Sequence, residues 1–227
     1  MTMFGRSAVT TTSQGQSLSQ QIAQHKVLRN TYMLLAMTLL FSAGMAALSV
    51  SLNLPRFGFL ITFGVYLGLL FLTSYLKNSA WGIVSVFALT GFMGLTLGPM
   101  LNHYLNLPNG ASLVATAFGM TAAIFMGLSA YVLVTKRDFS FMGGFLMAGM
   151  IVMLVGSLVA YFFTIPALSL AISAGVVLLM SGLILYETSE ILHGGETNYV
   201  MATVSLYITI FNLFTSLLHL LGVVDKE

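Results

Sequence analysis

The sequence has no cysteine and very few charged residues, with 8 Lys or Arg and 6 Asp or Glu among 227 residues. The absence of cysteine excludes disulfide bonds, thiolate catalysis and thiolate metal sites. Soluble domains carry about 25% charged residues, whereas this chain carries 6%. So few charges cannot cover the water-facing surface of a chain this long, which excludes a soluble enzyme. The net charge of +2 gives no reason to expect a nucleic-acid partner.

Long runs without a charged residue take up most of the chain, and 58% of the residues are hydrophobic. A helix of about 20 apolar residues spans the hydrocarbon core of a bilayer. The runs are 30–55, 57–76, 78–135, 139–186 and 197–224. The three shorter runs therefore contain one span each. The two longer runs contain two spans each, the first divided by a polar break at 102–110 and the second by Pro166. We predict an all-α, polytopic membrane protein with a seven-transmembrane-helix bundle in the lipid bilayer.

The predicted transmembrane domain covers residues 27–222. Residues 1–26 are rich in Ser, Thr and Gln, which predicts a flexible polar tail. Residues 223–227 form a second, short tail. The predicted spans are roughly 30–52, 57–76, 80–101, 111–134, 139–163, 167–192 and 200–222.

The basic residues predict the orientation, because cytoplasmic loops carry an excess of Lys and Arg. With the N-terminus in the cytoplasm, six basic residues lie inside and two lie outside. Those inside are Arg6, Lys26, Arg29, Lys77, Lys136 and Arg137, and those outside are Arg56 and Lys226. Seven spans then place the C-terminus outside.

Two pairs of glycines, each one helical turn apart, mark candidate positions of close helix packing. Gly64 and Gly68 lie in the second predicted span, and Gly94 and Gly98 lie in the third. Small residues let transmembrane helices approach closely, so we predict contacts within the bundle, with a face between two copies as the alternative. The sequence leaves the oligomeric state open. Pro99 follows Gly98 and predicts a kink or the end of the third helix.

The sixth predicted span ends in a cluster of titratable side chains formed by Glu187, Glu190 and His193. Glu187 and Glu190 are three residues apart and share a helix face. Glu187 lies about 8 Å inside the predicted helix end, where a carboxyl group must be paired, hydrated or protonated. It is either a proton-sensing group that gates a cavity or a helix contact, or an interfacial carboxylate in water or beside a cation. The candidate charge partners are Lys77, Lys136 and Arg137.

The seventh predicted span carries polar residues within an apolar sequence. Thr209 and Asn212 share one face, which predicts a central helix with several neighbours. No histidine pair has metal-ligand spacing, so we expect neither a metal nor a cofactor. We expect no enzyme, because the Gly-x-Ser-x-Gly pattern is absent and no aspartate lies inside a predicted span.

Several motifs in order resemble the Bax inhibitor-1 family. They are HKVLRNTY at 25–32, LGP at 97–99, RDFSFMGG at 137–144, LYET at 185–188 and LYITIFNLF at 206–214. The stretch HGGETNY at 193–199 is similar to the YccA-like branch of this family. The resemblance covers about residues 25–222, and it implies a seven-helix fold whose last helix is central.

The resemblance implies two alternative functions. The YccA-like branch implies a regulatory protein of the bacterial inner membrane that binds the membrane-anchored AAA protease FtsH. Such a protein would restrain the degradation of membrane proteins. The polar segment 1–26 adds our own hypothesis that it does so as a slow competing substrate engaged through this segment. Other family members resemble pH-sensitive calcium leak channels with an aspartate pair bridging the sixth and seventh helices.

The aspartate pair matches Glu187 and Thr209 in this sequence. A carboxylate and a hydroxyl group cannot share a proton as two carboxylates do, so Thr209 departs from the leak-channel pattern. Glu190 is the alternative second carboxylate, and the ligands of this alternative function are calcium ions or protons.

Overall fold

The computed structural model describes residues 6–163 and 165–224, which form seven long α-helices and no β-strand. The helices are α1 (Arg6–Ser51), α2 (Phe59–Leu76), α3 (Trp81–Leu105), α4 (Gly110–Thr135), α5 (Gly143–Phe163), α6 (Pro166–His193) and α7 (Tyr199–Val224), with a 3₁₀ turn at Ser140–Met142. Each helix contains a stretch long and apolar enough to cross a bilayer. The predicted all-α, seven-helix membrane fold is confirmed. Most of the predicted tail at 223–227 lies outside the described residues.

Helix α1 begins well before the first predicted span. It starts at Arg6, inside the segment 1–26 for which the sequence predicts a flexible tail. The part of α1 that is apolar enough to cross a bilayer begins at Ile22. Ser, Thr and Gln dominate residues 7–21, and a helix without an apolar face to pack gains little stability in water. The flexibility of this segment stays a prediction.

Helix α3 continues through Pro99 to Leu105, one turn beyond the predicted span. Proline has no N–H to donate to the carbonyl of Leu95, four residues earlier. The hydroxyl of Ser49 in α1 donates to this carbonyl instead, at 2.8 Å. The backbone acceptor freed by the proline therefore keeps a partner inside the bilayer, which allows the helix to continue.

Gly94 and Gly98 lie against α1. A Cβ atom at Gly94 would overlap the carbonyl oxygen of Ser42, and one at Gly98 would overlap the side chain of Ser49. The missing side chains allow the backbones of α1 and α3 to approach more closely than any other residue would permit. This glycine pair therefore forms a contact between two helices of one chain.

Gly64 and Gly68 have a different environment, although their spacing is the same. No atom lies within 4 Å of a Cβ built at either position. Within the described part of the chain this pair makes no close helix contact, so the contact predicted inside the bundle is absent here. The pair lies on α2, which is among the least buried helices.

Helix α7 lies at the centre of the bundle, as the family resemblance implies. It contacts α1, α2, α3, α4 and α6, and it contributes residues such as Tyr207 and Leu213 to both apolar core clusters. Helix α5 packs against α6 and the 3₁₀ turn, at the edge of the bundle. Among the described residues α2 and α5 do not contact each other. The side chains of α7 that line the space between them are buried or half-buried, except that of Ser205.

Candidate functional site

Three loops meet at the end of the bundle where α6 ends and α7 begins. The side-chain amide of Asn198, in the loop before α7, donates to the carbonyl of Lys77 at 3.1 Å and to Oδ1 of Asn78 at 2.9 Å. The backbone N–H of Phe139 donates to Oγ of Ser189 at 2.9 Å. These bonds hold the α2–α3 loop against the turn between α6 and α7, and the α4–α5 loop against the last turns of α6.

The turn between α6 and α7 is fixed by two helix caps. Gly194 follows α6 with φ at 85°, in the left-handed conformation that ends helices and favours glycine. Oδ1 of Asn198 accepts hydrogen bonds from the backbone N–H groups of Val200 and Met201, at 3.0 and 3.1 Å. Asn198 therefore caps the start of α7. The caps set how α6 and α7 lie against each other, and thereby which side chains face each other across the pair.

Glu187 of α6 faces Thr209 of α7. The hydroxyl of Thr209 donates a hydrogen bond to Oε1 of Glu187 at 3.0 Å. Oε2 of Glu187 is buried and has no hydrogen-bond partner in the part of the chain that the structure describes. Buried polar atoms without a partner are rare in native proteins, and ionisable groups inside the bilayer are usually functional. Glu187 is therefore the centre of the candidate site.

Glu187 lines two cavities. The smaller, which we call the acidic vestibule, has a volume of about 160 Å³ and lies next to the α6–α7 turn. Its lining includes Tyr186, Glu187, Glu190, Glu196 and Ser205. The larger has a volume of about 970 Å³, and we call it the lateral groove. Its lining includes Phe59 and Phe63 of α2, Leu154 and Leu158 of α5, Glu187 of α6, and Ser205, Thr209 and Asn212 of α7.

The other two members of the predicted titratable cluster lie apart from each other. Glu190 lies with Glu187 in the acidic vestibule. His193 lies at the α4–α5 loop instead, with Nε2 3.2 Å from the carbonyl oxygen of Lys136 and Nδ1 3.0 Å from that of Ser189. The structure therefore brings Glu190 to the site and keeps His193 away from it. Among the described residues, no group of three His, Asp or Glu side chains could hold a metal ion.

The three predicted charge partners lie at the same end of the bundle but not beside Glu187. Lys77 and Lys136 contribute backbone carbonyls that accept side-chain hydrogen bonds. Nη1 of Arg137 donates to the hydroxyl of Tyr131 at 3.2 Å. Across residues 6–163 and 165–224, the one partner recorded for the Glu187 carboxyl group is Thr209. In the part of the chain that the structure describes, the Glu187 carboxyl group is therefore bonded to a hydroxyl group and not to a cation.

Asp138, in the α4–α5 loop outside the membrane spans, forms a second polar cluster that sequence reasoning missed. Its Oδ1 accepts from the backbone N–H of Ser140 at 2.8 Å and from the hydroxyl of Ser189 at 3.3 Å. The hydrogen bonds from Ser140 hold the pKa of Asp138 below its usual value. The Asp-x-Ser spacing at the end of a predicted span is a signal of such a turn.

Ser205 is a further site residue that sequence reasoning missed. It lies four residues before Thr209, on the same face of α7, and lines both cavities. Within 199–223 it is the one residue of α7 whose surface is largely exposed. The sequence does indicate Ser205, because its spacing of four residues from Thr209 extends the polar face formed by Thr209 and Asn212.

Comparisons with known proteins give the chain several close relatives. It is 56% identical to an uncharacterised protein of Pseudomonas aeruginosa, over 93% of this chain and 95% of the relative. It is 52% identical to the Modulator of FtsH protease YccA of Escherichia coli K12, over 91% of this chain and 94% of the relative. A protein of Escherichia coli O6:H1 named Inner membrane protein YccA matches to the same extent.

The family model described as Inhibitor of apoptosis-promoting Bax1 matches residues 24–226. This match covers six of the seven apolar helices completely and the first from residue 24 onward, and it includes both sides of the Glu187–Thr209 contact. The chain therefore belongs to the Bax1-I family, Inhibitor of apoptosis-promoting Bax1.

Proposed function

We propose that this chain is a regulatory protein of the bacterial inner membrane that binds the FtsH protease and restrains its degradation of membrane proteins. The observation that carries the proposal is 52% identity, over 91% of the chain, to a relative named as a modulator of this protease. A second relative is named as an inner membrane protein, which supports the location. The proposed role is regulatory and not enzymatic.

The proposed orientation has the N-terminus in the cytoplasm and the C-terminus in the periplasm. The loops that follow α2, α4 and α6 together carry more Lys and Arg than the loops that follow α1, α3 and α5, and this excess supports the orientation. The three loops that meet beside the acidic vestibule, which contain Lys77, Lys136 and Arg137, are then cytoplasmic. In this orientation the N-terminal segment 1–26 is also cytoplasmic, where a cytoplasmic protease domain can reach it.

The proposed mechanism is slow competition for the protease. The polar segment 1–26 serves as the handle, and α1 begins within it at Arg6 and continues into the bundle. A pull on the handle is opposed by the contact between α1 and α3 and by polar bonds from α1. Ser42 bonds the hydroxyl of Tyr207 in α7 at 2.5 Å, and Ser49 donates to α3 at 2.8 Å. A substrate that is engaged easily and extracted slowly occupies the protease and so protects other substrates.

Deletion of residues 2–20 should lengthen the lifetime of the protein in cells several-fold. The deletion removes the proposed handle and leaves the membrane domain that begins at Ile22 intact. The lifetime is measured by following the protein after translation is stopped, in cells with and without FtsH. We expect the difference between the two cell types to disappear with the deletion.

A chain with residues 2–20 in scrambled order is the matched control, because it keeps the length and the composition of the segment. It should be degraded as fast as the original chain, since a handle needs polarity and reach and not a fixed sequence. An unchanged lifetime after deletion would show that the protease does not use this segment.

A second function, a pH-sensitive cation leak, is favoured by one observation. Glu187 lies between the acidic vestibule and the lateral groove and is joined to α7 by its bond from Thr209. A change in the protonation of Glu187 would alter this contact between α6 and α7. The two cavities would then be the entrances of a path that the contact closes.

Purified protein in liposomes that contain a calcium-sensitive dye tests this second function. A leak channel should admit calcium at a rate that changes with pH. Glu187→Gln should flatten the pH dependence, because the amide keeps the size of the side chain and cannot be ionised. Absence of calcium entry at every pH tested would exclude the leak and leave the regulatory proposal standing.

A further inference from the structure

A cleft lies between α1 and α4 at the end of the bundle that contains the α6–α7 turn. Its volume is about 640 Å³. Most of its lining comes from α1, including His25, Lys26, Arg29 and Tyr32, and Leu133 lines it from α4. We call it the basic cleft. The motif HKVLRNTY at 25–32 therefore forms most of a cavity that the proposed function does not use.

The basic cleft lies where charged sequence gives way to apolar sequence on both helices. Arg29 is the last charged residue of α1 before its apolar run, and Lys136 is the first charged residue after α4. Leu133 lies three residues before Lys136, so both walls of the cleft reach the edge of the hydrocarbon core. The deepest lining residue of α1 is Tyr32, whose ring stacks on Phe125 of α4 with ring centroids 6.0 Å apart. A ligand in the cleft would therefore meet both the head groups and the acyl chains of the bilayer.

Three side chains that can carry a positive charge line the basic cleft together. His25, Lys26 and Arg29 have the spacing of one face of α1, and all three are exposed. Within the described part of the chain none of them makes a hydrogen bond or an ion pair, and no Asp or Glu lines the cleft. Their donors are therefore available to a ligand.

The acidic residues of the chain are not placed to neutralise this cluster. Residues 1–137 contain seven of the eight Lys and Arg residues and none of the six Asp and Glu residues. At the same end of the bundle, Glu190 lines the acidic vestibule, and Oε1 of Glu196 accepts from the backbone N–H of Asn198 at 2.7 Å. Like charges close together at the edge of a medium of low dielectric constant repel each other strongly. An anion from outside the chain would relieve this repulsion.

The anion that the bilayer supplies at this level is the phosphate diester of a phospholipid. The guanidinium group of arginine matches two phosphate oxygens, and lysine adds a compact charge. Basic pockets between transmembrane helices on the cytoplasmic side bind the head groups of anionic lipids. Leu28 and Leu133 offer apolar contacts to the adjoining part of the lipid. A zwitterionic lipid would bring its own ammonium group beside the cations, so the cleft favours an anionic lipid.

We propose that the basic cleft binds one anionic phospholipid, such as phosphatidylglycerol, with its phosphate group bonded by Lys26 and Arg29. In the proposed orientation this lipid belongs to the cytoplasmic leaflet. The inference goes beyond the proposed function and does not depend on binding to the protease. The bound lipid would also join α1 to α4, whose backbones do not contact each other among the described residues.

Native mass spectrometry of the full chain in detergent, with increasing amounts of phosphatidylglycerol, tests the proposal. Lys26→Gln combined with Arg29→Gln should weaken binding of the first lipid at least fivefold, because two cations near the head group are lost. Lys136→Gln combined with Arg137→Gln is the matched control. It removes the same charge at the same end of the bundle but outside the cleft, and it should change the affinity less than twofold. Zwitterionic phosphatidylethanolamine should bind the original chain at least fivefold more weakly than phosphatidylglycerol does.

A variant that fills the cleft separates a binding site from a general field of positive charge. Leu133→Trp adds bulk inside the cleft and leaves every charge in place, so it should also weaken binding of phosphatidylglycerol at least fivefold. Size-exclusion chromatography checks that each variant is folded, and Leu133→Phe is the smaller replacement if the tryptophan variant aggregates.

Four results would overturn the proposal. Equal loss in the two double variants would show that charge anywhere at this end of the bundle attracts the lipid. Equal binding of the two lipids would show that the head-group charge is not recognised. Full binding by the folded Leu133 variant would place the lipid outside the cleft. Displacement of the lipid by an equal concentration of glycerol phosphate, which has no acyl chain, would identify the ligand as a soluble phosphate.

Discussion

Replacing Gly94 by alanine should destabilise the bundle by about 3 kcal/mol, at the upper end of the range for overpacked interiors. The added methyl group would overlap the backbone carbonyl of Ser42. A backbone atom cannot rotate away as a side chain can, so α1 and α3 would have to separate. The loss of the close approach would also weaken the bond from Ser49 to α3. Unfolding in mixed micelles of mild detergent and SDS measures the change.

Gly64→Ala is the matched control, since Gly64 also lies in a membrane helix with a second glycine four residues later. No atom lies within 4 Å of its added methyl group, so the change in stability should stay within about 0.5 kcal/mol. If Gly94→Ala is as stable as the original chain, the described contact between α1 and α3 is wrong. If Gly64→Ala is strongly destabilising, a second copy of the chain must cover that face.

Thr209→Val should destabilise the protein by about 1–3 kcal/mol, because it leaves both oxygens of the buried carboxyl group without a donor. Adding Glu187→Met should restore the stability to that of the original chain or above it. The double variant replaces both polar partners by apolar groups of similar size, which is often neutral or stabilising in a buried site. Detergent unfolding of the two single variants and the double variant measures this coupling.

The double variant also separates stability from function. We expect it to fold well and yet to lose any pH dependence of calcium entry in the liposome assay, because it has no ionisable side chain between the acidic vestibule and the lateral groove. Thr209→Ser is the conservative control, since it keeps the hydroxyl group and should preserve both properties. A double variant that is no more stable than Thr209→Val would show that the Thr209 bond does not satisfy Glu187.

Stability data of this kind also bear on the proposed mechanism of slow extraction. A weakened contact between α1 and α3 should make the chain easier to unfold from its N-terminal end. Gly94→Ala should then be degraded faster by the protease and protect other substrates less well, whereas the deletion of residues 2–20 should be degraded more slowly. The two changes have opposite effects on lifetime because one acts on extraction and the other on engagement.

The sequence predicts those parts of the site that follow from the spacing of residues along a single helix. Glu187 and Glu190 share a face of α6, and both line the acidic vestibule. His193 also lies near in sequence, but the structure turns it toward the α4–α5 loop. Lys77, Lys136 and Arg137, which are predicted on the same side of the membrane, are not bonded to Glu187 among the described residues either. Which neighbour meets a side chain depends on the faces that the helices present to each other, and the sequence does not state these faces.

The sequence by itself determined that the chain crosses the bilayer seven times and does so as helices. The physical reason is local: within lipid each backbone N–H and C=O must be satisfied, and a helix of about 20 apolar residues does this without help from the rest of the chain. Capping residues are equally local. Pro166 begins α6 and Gly194 ends it, as expected from their backbone preferences.

The tertiary structure alone decided which of two equivalent glycine pairs packs against a neighbouring helix. Gly94 and Gly98 meet α1, whereas Gly64 and Gly68 have the same spacing and meet nothing within the described chain. It also decided that Ser49 compensates for Pro99, and that among the described residues α2 and α5 do not contact each other. Helices that are apolar on every face carry little information about their neighbours, because lipid and leucine are alike as surroundings. Packing of small residues and a few hydrogen bonds makes the choice, and these depend on residues far apart in the chain.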